Sequence, residues 1–252
     1  MAKLLYFDCN CSIGRVPYPY LNDISSADGL KQEMDSAGIE EALVFHSVSR
    51  DTDPAMGNAL LGQAIDGDAR LHPCWTVIPS YAGDLPAPGK LIKDMEANGV
   101  KAARMFPTPA NHNYSLSEWN SGELLGALAE ARVPLMLDLE VLGWDPIVTV
   151  LKNHPALPVI ATTVNYRQNR FTHALFGEWD NLYVETSRYF GAGIFEDVVR
   201  RFGSRPLLFG TNMPRFTGTA AVSMLTYADI PRADKEAIAG GNLRRLLKEV
   251  FS

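Results

Sequence analysis

The chain has 252 residues, of which 46% are hydrophobic and 21% charged, and its formal net charge is -6. These proportions are typical of a globular protein. The scattered lysines and arginines form no basic run for nucleic acid, and no apolar run approaches the roughly 18 residues that cross a bilayer. The N-terminus enters an apolar strand without a signal peptide, so we expect a cytoplasmic protein that binds neither nucleic acid nor membrane.

Short apolar runs alternate with helical patterns along the whole chain. Such runs are typical of parallel strands that are covered on both faces. We predict eight strands, at residues 4–7, 42–46, 74–78, 101–106, 134–139, 158–163, 182–186 and 206–210. Apolar residues recur at helical spacing between them, for example from Ile194 to Phe202, where Gly203 ends the pattern.

Eight strands with intervening helices fit a closed barrel or an open doubly wound sheet. No Gly-x-Gly-x-x-Gly motif or P-loop follows any of the strands, and about 250 residues is a common length for an α/β barrel. We therefore predict an α/β fold with a single (β/α)8 TIM-barrel-like domain over residues 1–252. Long connections at 14–26, 107–117 and 165–170 would lie on the carboxyl-terminal rim, where barrel active sites form.

Two motifs carry most of the functional information. The sequence DCNCS (residues 8–12) ends the first predicted strand, and GTNMP (residues 210–214) ends the eighth. They resemble the amidohydrolase superfamily, in particular its amidohydrolase-related branch, which has Asp-x-His-x-His and Gly-Ser-Asp-x-Pro at these places. Strand seven, NLYVETS (residues 181–187), is similar to the Asn-x-Tyr-x-Asp-x-Ser of that family. The resemblance implies a barrel fold and the activity of a hydrolase or a non-oxidative decarboxylase.

The positions that match the metal ligands of that family have lost their histidines. Asn10 and Ser12 replace two histidines, Asn212 replaces an aspartate, and Asp138 and Asn165 stand at the ends of strands five and six. One carboxylate among neutral oxygens binds zinc poorly. We therefore expect no metal ligands and no cofactor, with a weakly held divalent metal as the less favoured alternative.

Asp138 and His46 are the predicted catalytic residues. Asp138 follows an apolar strand and is a candidate proton acceptor, although an aspartate paired with an arginine inside the barrel fits the same pattern. His46 ends strand two, where it fits either a general base or a hydrogen-bonded structural histidine. Cys9 and Cys11 are expected to share the strand face opposite Asn10 and to pack between barrel and helices.

Arginines near four strand ends predict a carboxylate-binding site, because guanidinium groups bind carboxylates in a bidentate way. The predicted substrate-binding residues are Asn10, Ser12, Arg104, Asn165, Arg167, Glu185, Arg188, Asn212 and Arg215. Each arginine alone is also compatible with a surface position. Tyr18 and Tyr20, in the loop after strand one, would either cover the ligand or pack against the rim.

These observations favour an amidohydrolase-like hydrolase that opens a small carboxylated lactone or ester without a metal, with Asp138 as the base. Two alternatives stay open: a non-catalytic protein of this fold that binds a small ligand, and a non-oxidative decarboxylase. The expected partner is a small carboxylated molecule, and homo-oligomerisation is left open.

Overall fold

The computed structural model describes residues 3–16 and 24–252, so Tyr18 and Tyr20 lie outside the described residues. All eight predicted strands are confirmed. They pair in parallel in the order β1 to β8, and their bounds are β1 (Tyr6–Ile13), β2 (Ile39–His46), β3 (Leu71–Thr76), β4 (Ala102–Arg104), β5 (Leu135–Asp138), β6 (Val159–Thr162), β7 (Leu182–Glu185) and β8 (Leu207–Leu208).

Helices connect the strands on the outside of the sheet. Their bounds are α1 (Ala27–Ala37), α2 (Ser47–Asp51), α3 (Pro54–Ala64), α4 (Pro88–Ala97), α5 (Glu118–Glu130), α6 (Leu139–Leu142), α7 (Trp144–Asn153), α8 (Asn169–Glu178), α9 (Ile194–Phe202), α10 (Gly218–Tyr227), α11 (Arg232–Glu236) and α12 (Asn242–Lys248). Within the described residues, 3–16 and 24–252, no helix is long and apolar enough to cross a bilayer.

The chain after β8 closes the sheet into a barrel. The backbone N–H of Cys9 donates to the carbonyl of Phe209 at 2.9 Å, and that of Ser12 donates to the carbonyl of Met213 at 2.9 Å. Cys11 and Met213 form a parallel bridge. The predicted (β/α)8 barrel is therefore confirmed. Its closure brings the two diagnostic motifs, DCNCS and GTNMP, side by side.

A bulge in β1 changes which residues face the barrel interior. Between the pairs Asp8–Ala42 and Cys11–Val44, β1 has one more residue than β2. An extra residue in one strand reverses the side-chain alternation beyond it. Cys9 therefore packs inside the barrel while Cys11 packs among the helices, so the prediction that both thiols share the outer face was wrong for Cys9.

The barrel interior changes from apolar to polar along the strand direction. Its apolar layer includes Ala102, Met136, Ile160 and Tyr183, and the side chains of α12 close its amino-terminal end. Two residues further along, the same four strands carry Arg104, Asp138, Thr162 and Glu185. Because strand residues two apart face the same side, one sheet face supplies both the core and the polar floor of the site.

Helix α3 packs closely against α2, which begins directly after β2. A Cβ atom added at Gly57 of α3 would overlap the backbone of Ser49. By contrast, Gly62 of the same helix is exposed and has no atom within 4 Å of an added Cβ. The two glycines therefore provide a matched pair for testing this contact.

We expect Gly57→Ala to lower the free energy of unfolding by about 2 kcal/mol or more, because backbone has to move. Gly62→Ala should raise it by about 0.5–1 kcal/mol, the usual gain in helix propensity. Urea denaturation of both variants measures these changes. Equal effects of the two substitutions would contradict the close packing of α3 on α2.

Candidate active site

Asn10 joins three strands at the polar end of the barrel. Arg104 Nη1 of β4 donates to Asn10 Oδ1 at 2.6 Å, and Asn10 Nδ2 donates to Glu185 Oε2 of β7 at 3.1 Å. The backbone N–H of Asn10 donates to Asp8 Oδ1 at 2.9 Å. All four residues are buried, so this network forms the floor of the candidate site.

Arg104 is a buried cation with few hydrogen-bond partners. Its guanidinium carbon lies 4.7 Å from the ring centre of Phe45 and 5.2 Å from that of Phe106. Apart from Asn10, the one described residue that accepts from Arg104 is Thr162, through a long bond of 3.4 Å from Nη2, and no described residue accepts from the buried Nε. Burial lowers the pKa of Arg104, and the charge of Asp138 acts in the opposite direction. Since a buried donor without a partner is costly, the arrangement favours an anionic ligand.

Two buried carboxyl groups lie on either side of Asn10. Burial raises the pKa of Asp8 to about 6 and that of Glu185 to about 7. Both groups accept hydrogen bonds that partly counteract burial: Asp8 accepts from Thr211, and Glu185 accepts from the Ser187 hydroxyl at 2.8 Å. Gly210 packs directly on the Glu185 carboxyl group and leaves no room for a side chain.

Asp138 lies half-buried at the end of β5. Its Oδ1 accepts from the backbone N–H of Glu140 at 2.9 Å and from the Thr163 hydroxyl. Among the described residues, none donates to Oδ2. Thr163 has a φ of 57°, a left-handed conformation that strains a β-branched residue. Asp138 is thus held by one oxygen and presents the other.

His46 forms the amino-terminal cap of α2. Its Nδ1 accepts from the backbone N–H of Val48 at 3.2 Å, and burial lowers its pKa. A neutral imidazole that accepts at Nδ1 carries its proton on Nε2, so the ring in this state is a donor and not a base. The structural role that the sequence left open is therefore the one that this geometry favours.

Arg188 and Arg215 meet at the rim around Glu140. Arg188 Nη1 lies 2.6 Å from Glu140 Oε1, and Arg215 Nη1 lies 3.1 Å from Glu140 Oε2. The Arg188 hydrogen bond is the main cause of the lowered pKa of Glu140. Both arginines also line a cavity of about 770 Å³ beside the ends of β7 and β8.

The remaining predicted residues are more peripheral. Arg167 is exposed and stacks on Tyr166 with a separation of 5.4 Å, and Asn165 Oδ1 caps the turn there by accepting from the Arg167 N–H at 3.0 Å. Asn212 is half-buried with a φ of 56°. No contact among the described residues joins the four arginines: Arg104 lies deep in the barrel, Arg188 and Arg215 share Glu140, and Arg167 stacks on Tyr166.

Several residues of this site were missed as site residues by sequence reasoning. They are Asp8, Phe45, Phe106, Glu140, Ser187 and Thr211. A signal existed for Asp8 and Thr211, because each belongs to one of the two diagnostic motifs. No sequence pattern indicated that Glu140, on the short helix after β5, would contact arginines that follow β7 and β8.

Comparison with known proteins places this geometry in a family context. The amidohydrolase family model matches residues 26–248. The structure is similar to 2,6-dihydroxybenzoate decarboxylase from Rhizobium, with 16% identity, a TM-score of 0.73 and coverage of 98% of this chain and 99% of that one. It is also similar to a protein described as a 2-pyrone-4,6-dicarboxylic acid hydrolase from Pseudomonas putida, with 14% identity, a TM-score of 0.70 and coverage of 98% and 99%. No curated protein matches the sequence significantly.

The expectation of a cofactor-free site needs correction. A dihydroxybenzoic acid decarboxylase from Polaromonas, with 14% identity, a TM-score of 0.70 and coverage of 98% of this chain and 97% of that one, is crystallised with bound manganese and the inhibitor 2-nitroresorcinol. A barrel of this fold can therefore hold a divalent metal. The missing family histidines were therefore insufficient grounds for predicting that no cofactor is used.

The described residues do not fit such an ion in their present arrangement. Within residues 3–16 and 24–252, no three His, Cys, Asp or Glu side chains come together as a metal-binding group. The Asn10 side chain also accepts a bond from Arg104 at the matched position on β1. We therefore derive no chemical step through a metal.

The raised pKa of Glu185 predicts a pH-dependent stability. An acid with a folded-state pKa above its unfolded value stabilises the fold at low pH, and this contribution is lost as pH rises through the folded value. Between an ordinary value of 4.5 and about 7, each pH unit contributes about 1.4 kcal/mol. The stability of the wild type relative to Glu185→Gln should thus fall by about 3 kcal/mol from pH 4 to pH 8.

Urea denaturation across this pH range measures the difference in stability. Asp8 is present in both proteins, so its own titration cancels from that difference. The exposed Glu123 provides the control: the difference between wild type and Glu123→Gln should stay flat. A Glu185 difference that is also flat would show that the carboxyl group titrates normally.

Proposed function

This chain belongs to the amidohydrolase family, and on that premise we propose that it hydrolyses a small, planar, carboxylated lactone or ester at the carboxyl ends of its strands. The main support is Arg104, whose buried guanidinium lies against two phenyl rings. Within residues 3–16 and 24–252, its Nε has no acceptor. A ligand carboxylate would neutralise this cation and provide the missing acceptor.

The edge of Arg104 suits a flat acid. The Nε–H bond and one Nη2–H bond of the planar guanidinium point in the same direction, and such a pair matches the two oxygens of a carboxylate. The neighbouring Phe45 and Phe106 rings favour an unsaturated, planar body over a flexible sugar or peptide. The chemistry of the site therefore selects a small aromatic or pyrone-like acid.

Asp138 is the proposed general base. Its Oδ1 is fixed by Glu140 and Thr163, while Oδ2 is available to a water molecule. In the proposed reaction Asp138 takes a proton from water, the hydroxide adds to the acyl carbon, and the ester C–O bond breaks. The departing alkoxide then receives the proton that Asp138 holds, which balances the reaction.

Ser12 and Asn212 are the proposed donors to the oxyanion. Each lies on one of the two diagnostic motifs, and no described residue accepts a bond from either side chain. Preorganised neutral donors stabilise the negative oxygen that develops when water adds to an acyl group. His46, with its proton on Nε2, is proposed as a further donor at the rim and no longer as the base.

Decarboxylation is the second candidate function. Glu185 has a pKa of about 7, so part of the population carries a proton at neutral pH, and the Ser187 hydroxyl connects it to the cavity wall. In this reaction the substrate carboxylate leaves as CO2, and the electron pair left on the ring carbon takes a proton from Glu185 through the Ser187 hydroxyl. The Rhizobium and Polaromonas barrels are named for this reaction.

Kinetics of two variants test the proposed roles. Arg104→Gln should raise KM by about ten- to a hundredfold, since a charge-assisted contact to the substrate is lost. Asp138→Asn should lower kcat by about 10²- to 10⁴-fold with little change in KM, as expected for loss of a general base. Unchanged kcat in Asp138→Asn would remove this residue from the mechanism.

Product analysis separates the two reactions. We expect incubation with carboxylated pyrones, lactones and hydroxybenzoates to yield a ring-opened acid without CO2 release. The assays should run both with added Mn²⁺ and after treatment with a chelator, alongside elemental analysis of the purified protein. Stoichiometric CO2 from a hydroxybenzoate would instead establish the second candidate, and failure to convert any substrate under either condition would contradict both.

A further inference from the structure

The cavity beside β7 and β8 adjoins the Arg104 floor through Ser187 and Thr211, which donate to the floor carboxyl groups, but neither Arg104 nor Asn10 lines it. Its volume of about 770 Å³ is within the range of small-molecule sites. Its walls are largely apolar and include Phe190, Phe195, Phe216 and Met224 from the segments around α9 and α10. Three of these side chains, those of Phe190, Phe216 and Met224, are at least one-third exposed, so the cavity is open to a ligand from solvent.

Positive charge is concentrated at the edge of this apolar cavity. Arg188 and Arg215 both line it, and Arg215 stacks on the wall residue Phe216 with a separation of 5.5 Å. Glu140 contributes one negative charge against these two positive charges. The cluster therefore keeps a net positive charge, and it attracts a further anion.

Glu140 occupies the position that a ligand carboxylate would take. Its Oε1 accepts from Arg188 and its Oε2 from Arg215, so a single carboxylate bridges the two guanidinium groups. The Glu140 side chain is 41% exposed, and its removal from the arginines would bury no charge. Exposed ion pairs of this kind contribute little to stability, so a carboxylate with an apolar body can compete with Glu140.

We propose that this cavity binds an amphiphilic monocarboxylate, with its apolar body between α9 and α10 and its carboxylate between Arg188 and Arg215 in place of Glu140. Glu140 is thus an internal competitor that sets the affinity. The site selects acids whose apolar part is long enough to fill the cavity. This proposal goes beyond the proposed reaction and does not depend on it.

Calorimetric titration with 4-phenylbutyrate tests the proposal. We expect Glu140→Gln to bind the acid about tenfold more tightly than wild type, because the competing carboxylate is gone, and Arg215→Gln to bind it about tenfold more weakly. The exposed Glu123→Gln control should stay within about twofold of wild type. The uncharged 4-phenylbutyramide should bind weakly and equally to all of these proteins.

A variant of the buried arginine distinguishes the two sites. Binding of 4-phenylbutyrate should persist in Arg104→Gln, whereas filling the cavity by Ala221→Leu should abolish it. The proposal is overturned if Glu140→Gln binds the acid no more tightly than wild type, if the amide binds as well as the acid, or if Arg104→Gln removes the binding. None of these results depends on catalytic turnover, so they leave the proposed hydrolysis to its own tests.

Discussion

The buried contact between Arg104 and Asn10 determines how the whole mouth of the barrel is organised. A guanidinium enclosed by two phenyl rings has lost most of its hydration, and a single short bond to Asn10 compensates only part of that loss. The other face of Asn10 is tied to Glu185, and its backbone to Asp8. Removing the side-chain amide would leave Arg104 and Glu185 buried without their shared partner, while the backbone bond to Asp8 would remain. The Asn10 side chain therefore couples β1 to β4 and β7.

The charged groups at the mouth lie at two depths with different consequences. The deep groups are desolvated, which raises the pKa of Asp8 and Glu185 into the physiological range and leaves Arg104 in need of an anion. The rim groups Glu140, Arg188 and Arg215 are solvated, so their contacts exchange readily. The two proposed sites therefore differ in how they would bind an acid. At the deep site, desolvation of Arg104 favours an anion strongly. At the shallow site, a carboxylate has to displace an ion pair that exchanges readily.

The fold was predictable because it depends on patterns that are local in the chain. Eight apolar runs separated by helical stripes fit a barrel or an open sheet, and every strand was located. Chain length, the absence of nucleotide-binding motifs and the family resemblance then favoured the barrel. The face of Cys9 was not predictable, since a single extra residue in β1 reverses the alternation without any sequence signature. Glu140 was missed as a partner of Arg188 and Arg215 for a different reason, because that contact depends on how three rim segments meet in space. The expectation of a cofactor-free site was overturned by the manganese bound in a similar barrel, because the absence of the family histidines does not by itself show that no cofactor is used.

We propose that the Arg104 guanidinium binds the carboxylate of a ligand, and the NMR signal of its Nε–H group reports such binding most directly. In protein labelled with ¹⁵N-arginine, the signal that is missing from Arg104→Lys identifies the residue. We predict that benzoate shifts this signal and slows its exchange with water, whereas benzamide does not. A signal that is unchanged by saturating carboxylic acids, with or without Mn²⁺, would contradict the account.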